Sequence, residues 1–166
     1  MTRYFAHYPE SIRTQVQRLM ESGGAGEYLL AKYPDAHGIA SDRALYEYAT
    51  AMKNEAMRNA PPLSKACYDG KIHVIRNALG THTYAARVQG GKIRTKNEIH
   101  IASLFKNVPE PFLRMIVVHE LAHFKEKGHD KAFYRLCEHM EPAYHQLEFE
   151  LRLYLVHREL FGPLYG

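Results

Sequence analysis

The stretch His119-Glu120-Leu121-Ala122-His123 constrains this chain more than any other. It ends an apolar run, Phe112-Leu-Arg-Met-Ile-Val-Val-His119, that has no proline or glycine and reads as helix. Pro109-Glu110-Pro111 opens that run. Proline is tolerated in a first helical turn, and an acidic side chain suits the positive end of the helix. The helix is predicted from Phe112 to about Lys127, with Gly128 as the residue that closes it. Four residues advance a helix by one turn plus about 40°, so His119 and His123 project from one face. Glu120 lies about 100° away. Two imidazoles and a carboxylate among Met115, Ile116, Val117, Val118, Leu121 and Ala122 are costly to bury unless they gain partners.

A metal ion is the partner this spacing suits. Two imidazoles one turn apart can bind one zinc ion, and a carboxylate beside them can take the proton of a zinc-activated water. Glu120 is therefore the expected general base. A catalytic zinc site takes three protein ligands and keeps one position open. His129, six residues past His123 and just beyond Gly128, is the expected third ligand. Glu138 and Glu141 are the alternatives. Zinc is the expected cofactor, although three imidazoles also suit other divalent metals. The chemistry implied is hydrolysis by a metal-activated water; the alternative, a non-catalytic zinc-stabilised binding module, would need no base such as Glu120.

The remaining sequence can enclose such a site unaided. A chain of 166 residues buries about 70% of the surface its unfolded form exposes, enough for one core. A single domain over 1–166 is expected, with a helical part over about 1–62 and a sheet and metal-binding part over about 63–166. The two cysteines, Cys67 and Cys137, form no metal-binding pair and read as reduced thiols. No apolar run nears the roughly 20 residues that cross a bilayer, and the first residues lack a signal-peptide core. A cytoplasmic protein without membrane association is expected. The net charge of +4 is compatible with an anionic substrate or nucleic acid, but no motif supports the latter. The oligomeric state is not read from the sequence.

The fold class predicted is α+β. Ile12, Val16, Leu19, Met20, Tyr28, Leu29 and Leu30 mark helix between Pro9 and Tyr33, split in two by Gly23, Gly24 and Gly26. Ser41 or Asp42 caps a further helix that ends at Asn59-Ala60-Pro61-Pro62. The period then changes. Residues 72–75, 84–88 and 98–102 read as strands of a small antiparallel or mixed sheet of three or four strands, with Asp69-Gly70 and Gly90-Gly91 at positions that suit tight turns. After the motif-bearing helix, two more run from Asp130 to about Met140 and from about Ala143 to Leu160.

The run from Pro109 through Glu148 resembles the YgjP-type zinc metallopeptidases, which belong with the WLM and SprT-like proteins in a minimal zincin group. The likeness rests on H-E-L-A-H, a short spacer, a third histidine and then two aromatic residues, found here at His119, Glu120, His123, His129, Phe133 and Tyr134. It extends upstream to Asn59-Ala60-Pro61-Pro62. The resemblance implies that His119, His123 and His129 are ligands, that Glu120 is the base and that a small sheet lies beside the active-site helix. It implies a peptide substrate or, because such enzymes are also linked to uridine nucleotides, a pyrophosphate bond. The metzincin pattern differs: it has glycine where this chain has Glu126. SprT-like proteins carry DNA-binding parts that have no counterpart here.

Several other residues are weaker candidates. Arg76, Arg87, Lys92, Arg94 and Lys96 form a basic strip that would hold phosphates, with Arg87 and Arg94 the foremost candidates; a solvated hairpin is the plainer reading. Tyr134 could stabilise an oxyanion. Asp130 and Glu148 are candidates to orient the imidazoles from behind. A peptide substrate would align on an edge strand, with Glu98 to Ala102 the expected one.

Overall fold

Residues 2–72, 86–89 and 97–166 are described in a computed structural model, Thr2 and residues 86–89 by their backbone alone. Three helices come first. α1 (Glu10–Glu21) ends at Ser22, and Gly23 follows with φ of 74°, a left-handed conformation that glycine adopts without strain. The chain there turns into α2 (Gly24–Lys32), so the glycine break divides the segment as expected. α3 (Asp42–Ala56) is capped by Ser41, whose hydroxyl accepts the Ala44 N–H at 3.1 Å. It stops ahead of Pro61-Pro62.

Three strands follow among the described residues: β1 (Leu63–Asp69), β2 (Ala86–Gln89) and β3 (Asn97–Ala102), in the order β1-β3-β2. β1 runs parallel to β3 and β2 antiparallel, so the sheet is mixed. The expectation that Glu98 to Ala102 forms an edge is corrected. β3 is hydrogen-bonded on both sides and has no free backbone edge to offer a substrate. The sequence reading also missed β1. Leu63-Ser-Lys-Ala-Cys-Tyr-Asp has no β-branched residue, its burial does not alternate, and its register slips between Leu63 and Lys65. Groups outside the sheet hold it. The Tyr68 N–H donates to the Asp42 carboxylate at 2.9 Å and the Tyr46 hydroxyl to the Leu63 carbonyl at 3.1 Å, so α3 covers the edge of β1. Most of the strand expected at 72–75 and the Gly90-Gly91 turn lie outside the described residues.

The last third is helical: α4 (Glu110–Ala122), α5 (Lys131–Met140) and α6 (Tyr144–Phe161). α4 lies in the middle of the core. Every residue from Phe112 to Ala122 is buried except Arg114, the pattern of a helix with neighbours all round. Its neighbours include β2, α5 and α6. Arg114 leaves the core through an ion pair with Glu141 at 2.5 Å and a bond to the Met140 carbonyl at 3.1 Å. α6 packs on α2 at Gly26, where a Cβ would come within 2.8 Å of His157 Nε2; the close approach requires glycine. No described helix is long and apolar enough to cross a membrane.

The C-terminal end of α4 differs from the prediction. The helix ends at Ala122, not near Lys127, and His123 is its cap. The N–H groups of Phe124, Lys125 and Glu126 turn back onto the carbonyls of Leu121 and Ala122. The chain leaves the helix through this tight turn, and Gly128 does not take the left-handed conformation of a glycine cap.

Candidate metal centre

The motif spans the end of α4 and the turn that follows. His119 sits in the last turn of the helix at 1% exposure, and Glu120 beside it at 2%. His123 caps the helix and His129 ends the turn, both half-buried. The reversal after Ala122 brings His129 back onto the other two. His129 Nε2 lies 3.1 Å from His123 Nε2 and 3.2 Å from His119 Nε2. The Phe133 ring, on the first turns of α5, lies 4.6–4.9 Å from all three imidazoles and backs them with an apolar wall.

Hydrogen bonding fixes part of the protonation. His123 Nδ1 lies 2.9 Å from the Glu126 carbonyl oxygen. A carbonyl only accepts, so Nδ1 carries the hydrogen and, in a neutral ring, Nε2 presents a lone pair to His129. One hydrogen on His129 Nε2 can point at one neighbour, not at both. A single cation serves all three nitrogens. Two ligands about 2.05 Å from one ion at the tetrahedral angle lie about 3.3 Å apart, close to the separations found here. The donor set thus fits a divalent metal. His119, His123 and His129 form the one group of three potential ligand side chains brought together among the described residues.

Glu120 lies at the margin of this cluster, its Oε1 3.9 Å from His119 Nε2. Its Oε2 is buried and has no hydrogen-bond partner. Burial pushes the carboxyl up to about 8. A buried carboxylate next to three converging nitrogens would be favoured in its charged form by a cation held there.

The alternatives for the third ligand lie elsewhere. Glu138 pairs with His145 at 2.9 Å on the surface, and Glu141 with Arg114. Asp130 caps α5, its carboxylate accepting the Phe133 N–H at 2.9 Å, and Glu148 bonds Arg152 at 3.2 Å. Tyr134 packs on Phe133, Tyr144 and His145. Of the basic strip, Arg87 lies on β2 opposite His100, while Arg76, Lys92, Arg94 and Lys96 fall outside the described residues.

The group that supports His119 was missed. The Tyr144 hydroxyl lies 2.8 Å from His119 Nδ1. Tyr144 opens α6, 25 residues further along, and no local pattern connects the two; only the packing of α6 on α4 brings them together.

Comparison with known proteins adds a family and one relative. Residues 80–154 match the family described as "YgjP-like, metallopeptidase domain". A curated protein of Escherichia coli (strain K12), "UTP pyrophosphatase", is 56% identical over 157 residues, covering 95% of this chain and 94% of its own. No solved structure matches the chain.

Proposed function

The chain belongs to the YgjP-like family, and on that premise we propose that it is a metal-dependent hydrolase that cleaves a pyrophosphate bond of a nucleoside triphosphate. The observation that carries the hydrolase reading is the convergence of three imidazole nitrogens beside a buried carboxylate with a free oxygen. The nucleotide substrate is supported by a likeness that runs the length of the chain to a protein named for UTP. Exposed cations agree with it: Lys125 and Lys127 lie on the turn between His123 and His129, and Lys131 and Arg135 on the helix after it. We read the fold as zincin-like, on the evidence of a small sheet beside the motif-bearing helix.

His119, His123 and His129 would hold the metal, and zinc is the ion their donor set suits best. When bound, such an ion supplies Lewis-acid chemistry, acidifying water and polarising the scissile phosphoryl group. The protein's own contribution is the proton. Glu120, buried and without a hydrogen-bond partner at Oε2, takes the hydrogen of the attacking water and passes it to the leaving phosphate. Phe133 keeps one side of the imidazoles dry, and the half-buried His123 and His129 mark the open side.

A peptide substrate is the second reading, favoured by the family's description as a metallopeptidase domain. One experiment separates the two. Zinc-loaded protein and its Glu120→Gln variant are assayed for release of phosphate or pyrophosphate from UTP and for cleavage of casein. The expected result is UTP hydrolysis by the wild type and a loss of about 10²–10⁴-fold in the variant, whose zinc content is unchanged. Cleavage of casein alone would move the reading to a peptidase. Full turnover by Glu120→Gln would remove the base.

A further inference from the structure

Resting on the metal-site reading above, we propose that Tyr144 is a positioning residue that fixes the tautomer of His119 and so keeps Nε2 available for the metal. The geometry is specific. The Tyr144 hydroxyl stands 2.8 Å from His119 Nδ1, and the two rings lie nearly parallel at 15° with centroids 6.5 Å apart. Tyr144 is fully buried and His119 is 1% exposed, so bulk water does not substitute for this contact.

A tyrosine hydroxyl can donate or accept, and its direction decides the role. If it donates, His119 Nδ1 carries the lone pair and Nε2 the hydrogen, which blocks a metal. If it accepts, Nδ1 carries the hydrogen and Nε2 is bare. The other face of the ring selects between these. His119 Nε2 points at the other imidazoles, 3.2 Å from His129 Nε2, so on the metal reading it is the nitrogen that must be bare. Nδ1 then carries the hydrogen, and the Tyr144 oxygen is placed to accept it. His123 gains the same outcome from the Glu126 carbonyl. Two ligands are thus oriented by two different devices, one of them a backbone oxygen that mutation leaves in place and the other a side chain.

Residues behind a metal ligand commonly contribute 10–100-fold in metal affinity. The test uses the full chain and Tyr144→Phe, which keeps the ring and removes the hydroxyl. Zinc affinity is measured by competition with a chromophoric chelator, and the imidazole tautomers of the metal-free proteins by long-range ¹⁵N–¹H correlation spectra. The wild type is expected to show His119 as the Nδ1–H tautomer. In Tyr144→Phe that tautomer is expected to give way to a mixture, and the zinc Kd to rise about 10–100-fold. A merely structural role would lower stability without moving either reading. An Nε2–H tautomer in the wild-type spectrum overturns the proposal even if the variant does not fold. An unchanged spectrum and Kd in a folded Tyr144→Phe overturn it while leaving the metal reading intact. A wild type that takes up no zinc overturns both.

Discussion

Glu150 is a carboxylate with no exposed side-chain surface, and four side chains donate to it. Tyr28 at 2.6 Å, Lys32 at 2.5 Å and Gln146 at 3.0 Å reach Oε1, and Tyr33 reaches Oε2. Burial raises such a carboxyl and the donors lower it; the donors win, and Glu150 titrates below an ordinary glutamate. In the unfolded chain it titrates near about 4.3. A depressed folded value means that its stabilisation is complete above roughly pH 5 and is lost as the pH falls through the folded value. Glu150→Gln lacks that dependence. The gap in Tm between wild type and Glu150→Gln is therefore expected to close on acidification from about pH 7 to about pH 3. A gap that stays constant or widens would show that the four donors do not favour the ionised form. Glu120 is the contrasting residue: equally buried, it lacks such donors at Oε2 and is raised.

Single elements explain how the site residues meet. α4 supplies His119 and Glu120, the turn after it supplies His123 and His129, and α5 supplies the Phe133 wall. Asp130 joins the turn to α5 as its cap and directly follows His129. Asp130→Ala is expected to destabilise the protein by about 0.5–2 kcal/mol. Because the first turn of α5 then frays next to His129, zinc binding should weaken as well. Asp130→Ser, which keeps an accepting oxygen, should restore both. Denaturant unfolding and zinc titration of the two variants check this; equal zinc affinity in all three proteins would separate the cap from the site. What the sequence made legible follows the range of the forces involved. The motif, the glycine break between α1 and α2, the Ser41 cap and the three helices of the last third depend on spacing and local chemistry, and they were readable. β1 was not, since its pairing with β3 and its cover by α3 are long-range. Nor was the end of α4. Lys125, Lys127 and Gly128 suggested a later stop, whereas the His123 bond to the Glu126 carbonyl and the backbone turn close the helix at Ala122.

At the scale of the molecule, one apolar core runs from Tyr4 to Tyr165, and α4 passes through it. The site lies where that helix emerges. One end of the cluster, at His119 and Glu120, is sealed by the core, and the other, at His123 and His129, faces outward. This gradient from dry to wet strengthens charge interactions at Glu120 and, in the proposed function, would admit the substrate from the outward side. Tyr144 could be found only at this scale, since α6 must pack on α4 before its hydroxyl meets His119. The proposed function requires that the three imidazoles together hold a metal. It is tested most directly by the metal-to-protein ratio of chelator-stripped, zinc-reloaded and dialysed protein, measured for the wild type, Glu120→Gln and His129→Ala. About one ion per chain is expected in the first two and far less in His129→Ala. An unchanged ratio in His129→Ala, or no ion in the wild type, would contradict it.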